Sequence, residues 1–221
     1  MDDTTLTEVV QRGGQSAMRV AVTAVEQWSI TNKLQLNPDK CKEMLIDFKR
    51  TQHQFDAITV DSKELERVNS VKVFGVTIAS TLRWNCHISD VLKKANKRMF
   101  FPILLKRAKV PARDIISLYL TCIRPVLEYC APLYHHVLPD YISNDIKRVQ
   151  KRALSIISPG LIYLDNHSLF NLNLLKDRRT NNVINFSNQL CSIPRTSFII
   201  FCHQRTILLI ILEINVSLLT Q

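Results

Sequence analysis

Residues 143–157 read SNDIKRVQKRALSII, and this stretch decides the helical half of the chain. Apolar residues recur in it at helical spacing and predict one buried stripe, which comprises Ile146, Val149, Ala153, Ile156 and Ile157. Ser143 is a good N-cap, and Asp145 suits the first turn of a helix. The spacing also places four cations on one face, namely Lys147, Arg148, Lys151 and Arg152. That face is either solvated or a track for a nucleic-acid backbone, and we favour the track.

Positive charge is concentrated around this helix. The chain has 221 residues and a net charge of +10. Residues 93–152 contain 13 Lys and Arg but 4 Asp and Glu, a net charge of +9 in that stretch alone. An earlier helical stretch contributes Lys93, Lys94, Lys97 and Arg98. Such a concentration is typical of a phosphate-binding surface, although a merely soluble basic helix bundle is the alternative.

Composition excludes several other classes of protein. An apolar fraction of 46% and a charged fraction of 22% indicate a folded core and exclude a disordered or collagen-like chain. The four glycines form neither a dinucleotide-binding nor a P-loop motif. The six cysteines include no C-x-x-C pair, so a zinc site at Cys130, His135 and His136 is disfavoured, and free thiols in a reducing compartment are expected. We expect no signal peptide, because the N-terminal MDD begins neither a basic nor an apolar region. We also expect no membrane span, because charged and polar residues interrupt the apolar tail at 198–219.

The remaining periodicity predicts an α+β chain. The predicted elements are a helix at 16–29, a strand at 43–48, a hairpin at 58–68, a strand at 71–78 and helices after Trp84 and at 114–129. Ser16 is the predicted N-cap of the first helix, whose predicted buried stripe is Ala17, Val20, Ala21, Ala24, Val25 and Trp28. Gly75 within a strand indicates a bulge or a close backbone approach. Pro102 and Pro125 are expected to kink or interrupt their helices.

Five segments carry a resemblance to a known family. Residues 2–6 read DDTTL, residues 32–42 read NKLQLNPDKCK and residues 73–78 read VFGVTI. Residues 123–132 read IRPVLEYCAP, and residues 146–154 read IKRVQKRAL. In this order the segments resemble the catalytic turn, the segment after the palm helix, the primer-grip hairpin and the thumb of reverse transcriptases from non-LTR retrotransposons. The resemblance is closest to the jockey-like branch of long interspersed elements.

The resemblance implies roles for individual residues. Asp2 and Asp3 would be the paired aspartates that bind Mg²⁺, and Lys40 would assist the departing pyrophosphate as an acid or a charge clamp. The primer grip would comprise Phe74, Gly75 and Val76, and the basic helices would hold an RNA template and DNA primer duplex through its phosphates. Without the resemblance, the Asp pair is a helix start or a solvated cluster, and Lys40 is a solvated turn residue. The resemblance also implies an intracellular location, nuclear or cytoplasmic, and no stable protein partner is inferred.

The resemblance covers only the rear part of such a polymerase. The aromatic residue before the Asp pair, the third carboxylate, the fingers and the nucleotide-selecting segment are missing, so we expect little or no catalysis. The alternative function is a non-catalytic nucleic-acid-binding module derived from the thumb. The predicted architecture is a remnant palm sheet with a packed helix at 1–85, a helical thumb bundle at 86–158 and an uncertain, helical extension at 159–221.

Two further expectations concern exposed edges and the end of the chain. Truncation of the palm would leave an unpaired sheet edge near residues 43–48, which invites aggregation or complementation by another chain. The last 25 residues are crowded with Ile and Leu and show little periodicity. They are compatible with a docked helix, with a strand or with a non-native reading frame.

Overall fold

The structure is a computed structural model that describes residues 3–10, 14–48, 55–161, 163–191 and 208–218. It confirms the α+β class. The chain divides into two units: Met1–Arg83 with Ile200–Gln221 form the first, and Trp84–Ile199 form the second. Within the described part of the chain, no helix combines the length and the apolar character that a bilayer crossing requires.

The first unit consists of short strands around one helix. Its elements are β1 (Asp3–Val10), α1 (Met18–Thr31), β2 (Leu34–Leu36), β3 (Lys42–Ile46), β4 (Thr59–Val60), β5 (Lys63–Glu64), β6 (Glu66–Arg67), β7 (Ser70–Val73), β8 (Val76–Ala79) and β9 (Leu208–Leu218). The main sheet has the order β1-β9-β3-β6, and β2 also pairs with β9. Two separate hairpins, β4–β5 and β7–β8, complete the unit.

Strand β9 occupies the sheet edge that the sequence analysis expected to be open. It pairs antiparallel with β3 from Lys42 to Ile46, while β6 pairs with the other side of β3 at Lys42 and Glu43. The expectation of an unpaired edge near residues 43–48 is therefore wrong. The Ile and Val residues of β9 suit a central strand, and its pairing with β3 satisfies backbone groups that an edge strand would expose. Residues 208–218 are thus a strand, which is one of the alternatives that the sequence left open for the last 25 residues of the extension.

Helix α1 lies where periodicity predicted a helix, but it buries a different face. The described side chains buried on it are Met18, Val22 and Ser29, whereas Val20 and Trp28 are 73% and 54% exposed. The helix carries apolar residues on two adjacent stripes, and tertiary packing selects one of them. The N-cap is Ala17 and not the predicted Ser16, because the helix begins at Met18; the Ser16 hydroxyl, one residue farther out, accepts a hydrogen bond from the Met18 N–H at 3.2 Å.

The predicted strand at 71–78 is instead a tight hairpin. Strands β7 and β8 are joined by Phe74 and Gly75, whose φ angles are +49° and +79°. Two central residues with positive φ are typical of a type I′ turn, which matches the right-handed twist of the flanking strands. Gly75 therefore serves the turn, because it adopts this conformation without steric cost.

The second unit is helical around one core. Its elements are α2 (Asn85–Arg98), α3 (Phe100–Arg107), α4 (Ala112–Leu118), a π-helical turn (Tyr119–Ile123), α5 (Arg124–Glu128), α6 (Ala131–Tyr134), a 3₁₀ turn (His135–Val137), α7 (Asp140–Ile157), α8 (Tyr163–Leu169) and α9 (Leu175–Cys191). Ile88 on α2, Leu127 on α5 and Ile146 on α7 share this core with Leu175 on α9.

Prolines divide the helices as their geometry requires. The break between α2 and α3 falls at Met99, so that Pro102 lies in the first turn of α3, where its missing N–H is tolerated. Pro125 follows the π-helical turn in the same way. In an α-helix, residues four apart are rotated from each other by about 40° around the helix axis, and a wider π-helical turn reduces this rotation. Ile115, Tyr119 and Ile123, at that spacing, are accordingly all buried.

Helix α7 begins earlier than predicted. Its first residue is Asp140, and Pro139 precedes it in an extended conformation, so Ser143 lies inside the helix. The Ser143 hydroxyl accepts a hydrogen bond from Arg179 Nη2 at 3.1 Å. The prediction of Ser143 as N-cap is therefore wrong, because its side chain contributes to packing against α9.

Candidate nucleic-acid interface

The outer face of α2 presents three exposed lysines. The helix buries Ile88, Val91 and Ala95, and the exposed lysines are Lys93, Lys94 and Lys97. Lys93 lies 3.8 Å from Asp90 in an exposed ion pair, which holds it only weakly. Lys94 and Lys97 have no acidic partner among the described residues. Their charges are therefore available to an external anion.

Arg98 differs from these lysines. It is half-buried, and its Nη1 donates a hydrogen bond to the Cys122 carbonyl. This contact ties the end of α2 to the π-helical turn. Of the four cations predicted on this helix, Arg98 thus has a role inside the fold, whereas the three lysines face solvent.

The four predicted cations of α7 are all exposed but divide into two pairs. Lys147 and Lys151 place their Nζ atoms 5.7 and 5.3 Å from the centre of the Tyr163 ring, within cation–π range. Arg148 pairs with Asp145 one turn earlier, in an exposed ion pair, and Arg152 has no acidic partner among the described residues. Of the four cations, Arg152 alone thus has neither an aromatic nor an acidic contact among the described residues.

The Tyr163 ring contacts both Lys147 and Lys151. Its hydroxyl donates to Gln150 Oε1 at 2.7 Å, and burial raises the pKa of Tyr163 to about 12. The phenol stays neutral at physiological pH and keeps this donor role. Sequence analysis did not find this contact, because Tyr163 follows the α7 helix after a turn and carries no periodic signal.

The two basic faces belong to one helical unit. Helices α2 and α7 pack against each other and bury their apolar stripes in the same core. The exposed lysines of α2 and the exposed cations of α7 consequently point away from one core. The second unit therefore presents exposed cations to solvent from both helices.

The predicted catalytic residues lie in the first unit. Asp2 lies outside the described residues, and of Asp3 the structure describes the backbone at the start of β1. Asp3 is level with Asn215 of β9, and Lys42 is level with Glu213. The start of β1 and the start of β3, which Lys40 precedes, therefore lie at the same end of the sheet. Strand β9 separates them, so the two strands are about 10 Å apart.

The predicted primer-grip residues form the tip of the β7–β8 hairpin. Phe74 is 82% exposed at the turn, whereas Val76 is buried. Lys40 is exposed in the turn before β3, where its backbone N–H donates to the Asn37 carbonyl at 3.1 Å. The turn also contains Asp39, whose pKa is lowered by the hydrogen bond and charge of Lys63.

A polar cluster among α5, the 3₁₀ turn at His135–Val137, α7 and α9 is the second feature that sequence analysis did not resolve. Arg178 holds the Glu128 carboxylate with two hydrogen bonds of 2.6 and 3.1 Å. Arg179 is 1% exposed, and its Nε donates to His135 Nδ1 at 3.4 Å. The other ring nitrogen of His135 lies 3.1 Å from Thr180 Oγ1. The cluster fastens α9 to the helical unit.

This cluster does not provide a metal site. Both ring nitrogens of His135 already have hydrogen-bond partners. Among the described side chains, no group of three His, Cys, Asp or Glu residues could hold a metal ion. Burial, followed by the charge of Arg179, lowers the pKa of His135, which keeps the ring neutral and able to accept the Arg179 hydrogen bond.

Comparisons of the chain with protein-family models, with curated proteins and with solved structures found no match.

Proposed function

We propose that the second unit binds nucleic acid through phosphate contacts. The observation that carries the proposal is the outward placement of seven exposed cations on two helices of one unit: Lys93, Lys94, Lys97, Lys147, Arg148, Lys151 and Arg152. Acidic residues are scarce in the same stretch, since residues 93–152 contain 4 Asp and Glu against 13 Lys and Arg. Phosphate contacts of this kind position a nucleic acid and carry no sequence information directly.

The proposal has a quantitative signature. Each neutralised phosphate releases counterions, so the logarithm of the binding constant falls with the logarithm of salt by about 0.9 per contact on B-DNA. Contacts from four to seven cations therefore predict a slope of about −3.6 to −6.3. A bundle whose cations are merely solvated makes no phosphate contacts, so it should show no salt-dependent binding of nucleic acid.

We further propose descent from a reverse transcriptase, with an RNA template and DNA primer duplex as the ligand. The support is the order of the five segments from the Asp pair to the thumb. Asp2 and the side chain of Asp3 lie outside the described residues, so the proposal of a Mg²⁺ pair there rests on the resemblance. The binding module is the function that the geometry favours, and the polymerase is the second candidate.

One experiment separates the two candidates. The full chain is titrated with a labelled RNA–DNA duplex over a range of salt concentrations, and a parallel primer-extension assay contains Mg²⁺ and nucleotides. Binding with a steep negative salt slope and no extension supports the binding module. Extension that disappears in an Asp3→Ala variant supports the polymerase. A flat salt response contradicts the phosphate contacts on which both candidates depend.

A further inference from the structure

Two adjacent phenylalanines at the start of α3 face solvent. Phe100 is 60% exposed and Phe101 is 50% exposed, and their rings contact each other edge to face with centroids 6.0 Å apart. Leu104, one turn farther along, is 49% exposed. The neighbouring Met99 and Pro102 are buried. Helix α3 therefore buries Pro102 and exposes an aromatic ridge, which is formed by Phe100, Phe101 and Leu104. An exposed apolar patch of this kind marks an interaction site.

The ridge continues the basic face of α2. Met99 alone separates α2 from α3, and its φ and ψ angles of −62° and −15° are helical. Lys93, Lys97, Phe100, Leu104 and Arg107 follow at steps of three or four residues, which is the spacing of one helix face. The structure shows all five exposed. Cations thus precede and follow Phe100 along the chain, and a rise of about 1.5 Å per residue sets Lys93 and Arg107 at most about 21 Å apart.

We propose that this face, from Lys93 to Arg107, binds single-stranded nucleic acid, with unpaired bases stacked on Phe100 and Phe101. The cations that flank the rings would hold the phosphates of the same strand. The inference rests on the proposed function and specifies the form of its ligand. Bases in a duplex are already stacked on each other, so only unpaired bases can use the exposed rings.

Charge and ring chemistry together select this occupant. A purely apolar partner surface would be met by the phenylalanines and Leu104, but it would leave the flanking Lys97 and Arg107 without counter-charges. A single strand matches both, because every base has a π-face and every nucleotide has a phosphate. Combined aromatic and cationic faces of this kind bind single strands with little sequence preference.

The test compares two double variants with a control. Phe100→Ala with Phe101→Ala removes the rings, and Phe100→Leu with Phe101→Leu keeps the apolar bulk but removes the π-faces. Phe186→Ala, on α9, is the control, since that side chain is 39% exposed. Each full-length variant is titrated with a fluorescent oligo-dT strand of about 16 nucleotides and with the matching duplex, and binding is followed by fluorescence anisotropy. Circular dichroism melting verifies that the variants are folded.

We expect both double variants to weaken binding of the single strand by at least about 5-fold, because the loss of each stacked base costs about 5-fold to 150-fold. Duplex affinity should change by less than about twofold, and the salt slope should be unchanged, because the cations remain. The control should bind both probes as the unmodified chain does.

Other outcomes overturn the inference. Full affinity of the leucine variant for the strand would show that the rings do not stack on bases. Equal losses for strand and duplex would show that the patch acts through the fold, and a change in sedimentation without a change in strand affinity would identify a surface for a second copy. If the unmodified chain binds duplex with a steep salt slope but both variants bind the strand normally, the inference alone fails. Binding of neither probe by the unmodified chain contradicts the proposed function as well.

Discussion

Neutralising Lys94 and Lys97 tests the basic face of α2 directly. Both side chains are exposed and have no acidic partner among the described residues, so Lys94→Gln with Lys97→Gln removes two charges without breaking an internal ion pair. Each phosphate contact contributes about 0.9 to the slope of log K against log salt. At about 0.1 M salt, two contacts are therefore worth about 1.8 decades, or roughly 60-fold in affinity and about 2.4 kcal/mol.

The assay is a salt titration of duplex binding by anisotropy. The double variant should bind about 60-fold more weakly at 0.1 M salt, and its slope should be less negative by about 1.8. Lys33→Gln with Lys72→Gln is the matched control, because it removes two exposed charges from the first unit and lowers the net charge equally. Equal losses in both pairs would show attraction by net charge alone, and an unchanged slope in the α2 pair would refute the phosphate contacts.

Three further predictions concern the fold that presents these charges. Burial lowers the pKa of His135 in the folded chain. In the unfolded chain this ring takes up a proton near the ordinary value of about 6.5, whereas in the folded chain it stays neutral to a lower pH. The free energy of unfolding should therefore fall as the pH falls from about 6.5 to the lowered pKa. His135→Gln should flatten this part of a urea-unfolding pH series, and His136→Gln should not. Leu127→Ala should lower the free energy of unfolding by about 2–5 kcal/mol, whereas the half-exposed Leu133→Ala should change it by less than about 0.5 kcal/mol; equal effects would contradict the core position of Leu127. Gly75→Ala should cost about 1–2 kcal/mol in the same urea assay, since φ is +79° there, and no loss would show that the hairpin turn relaxes.

Local patterns in the sequence predicted part of the fold. The stripe of Ile146, Val149 and Ala153 predicts helix α7, and the structure buries all three residues. Charge counts likewise identify the stretch in which the exposed cations lie. These predictions succeed because helix periodicity and charge placement depend on residues within a few turns of one another.

Other features depend on distant parts of the chain. Sequence analysis predicted a helix at α1 but chose the wrong face, since two adjacent stripes were apolar and only packing selects between them. It placed Ser143 at a helix start, whereas Arg179, 36 residues later, uses that hydroxyl inside the fold. Arg98 looked like one more surface cation, yet it donates to a carbonyl of the π-helical turn. None of these contacts leaves a periodic trace in the sequence.

The sequence by itself determined the helical periodicity around Ile146 and where positive charge accumulates, because spacing and composition are local properties. Only the tertiary structure decided that β9 pairs with β3 and that Phe100 and Phe101 remain exposed. The strand that pairs with another strand, and the residues that bury an apolar side chain, are brought together only when the chain folds. An isolated segment contains the groups that can pair or be buried, but the choice among possible partners depends on which surfaces the rest of the chain already fills.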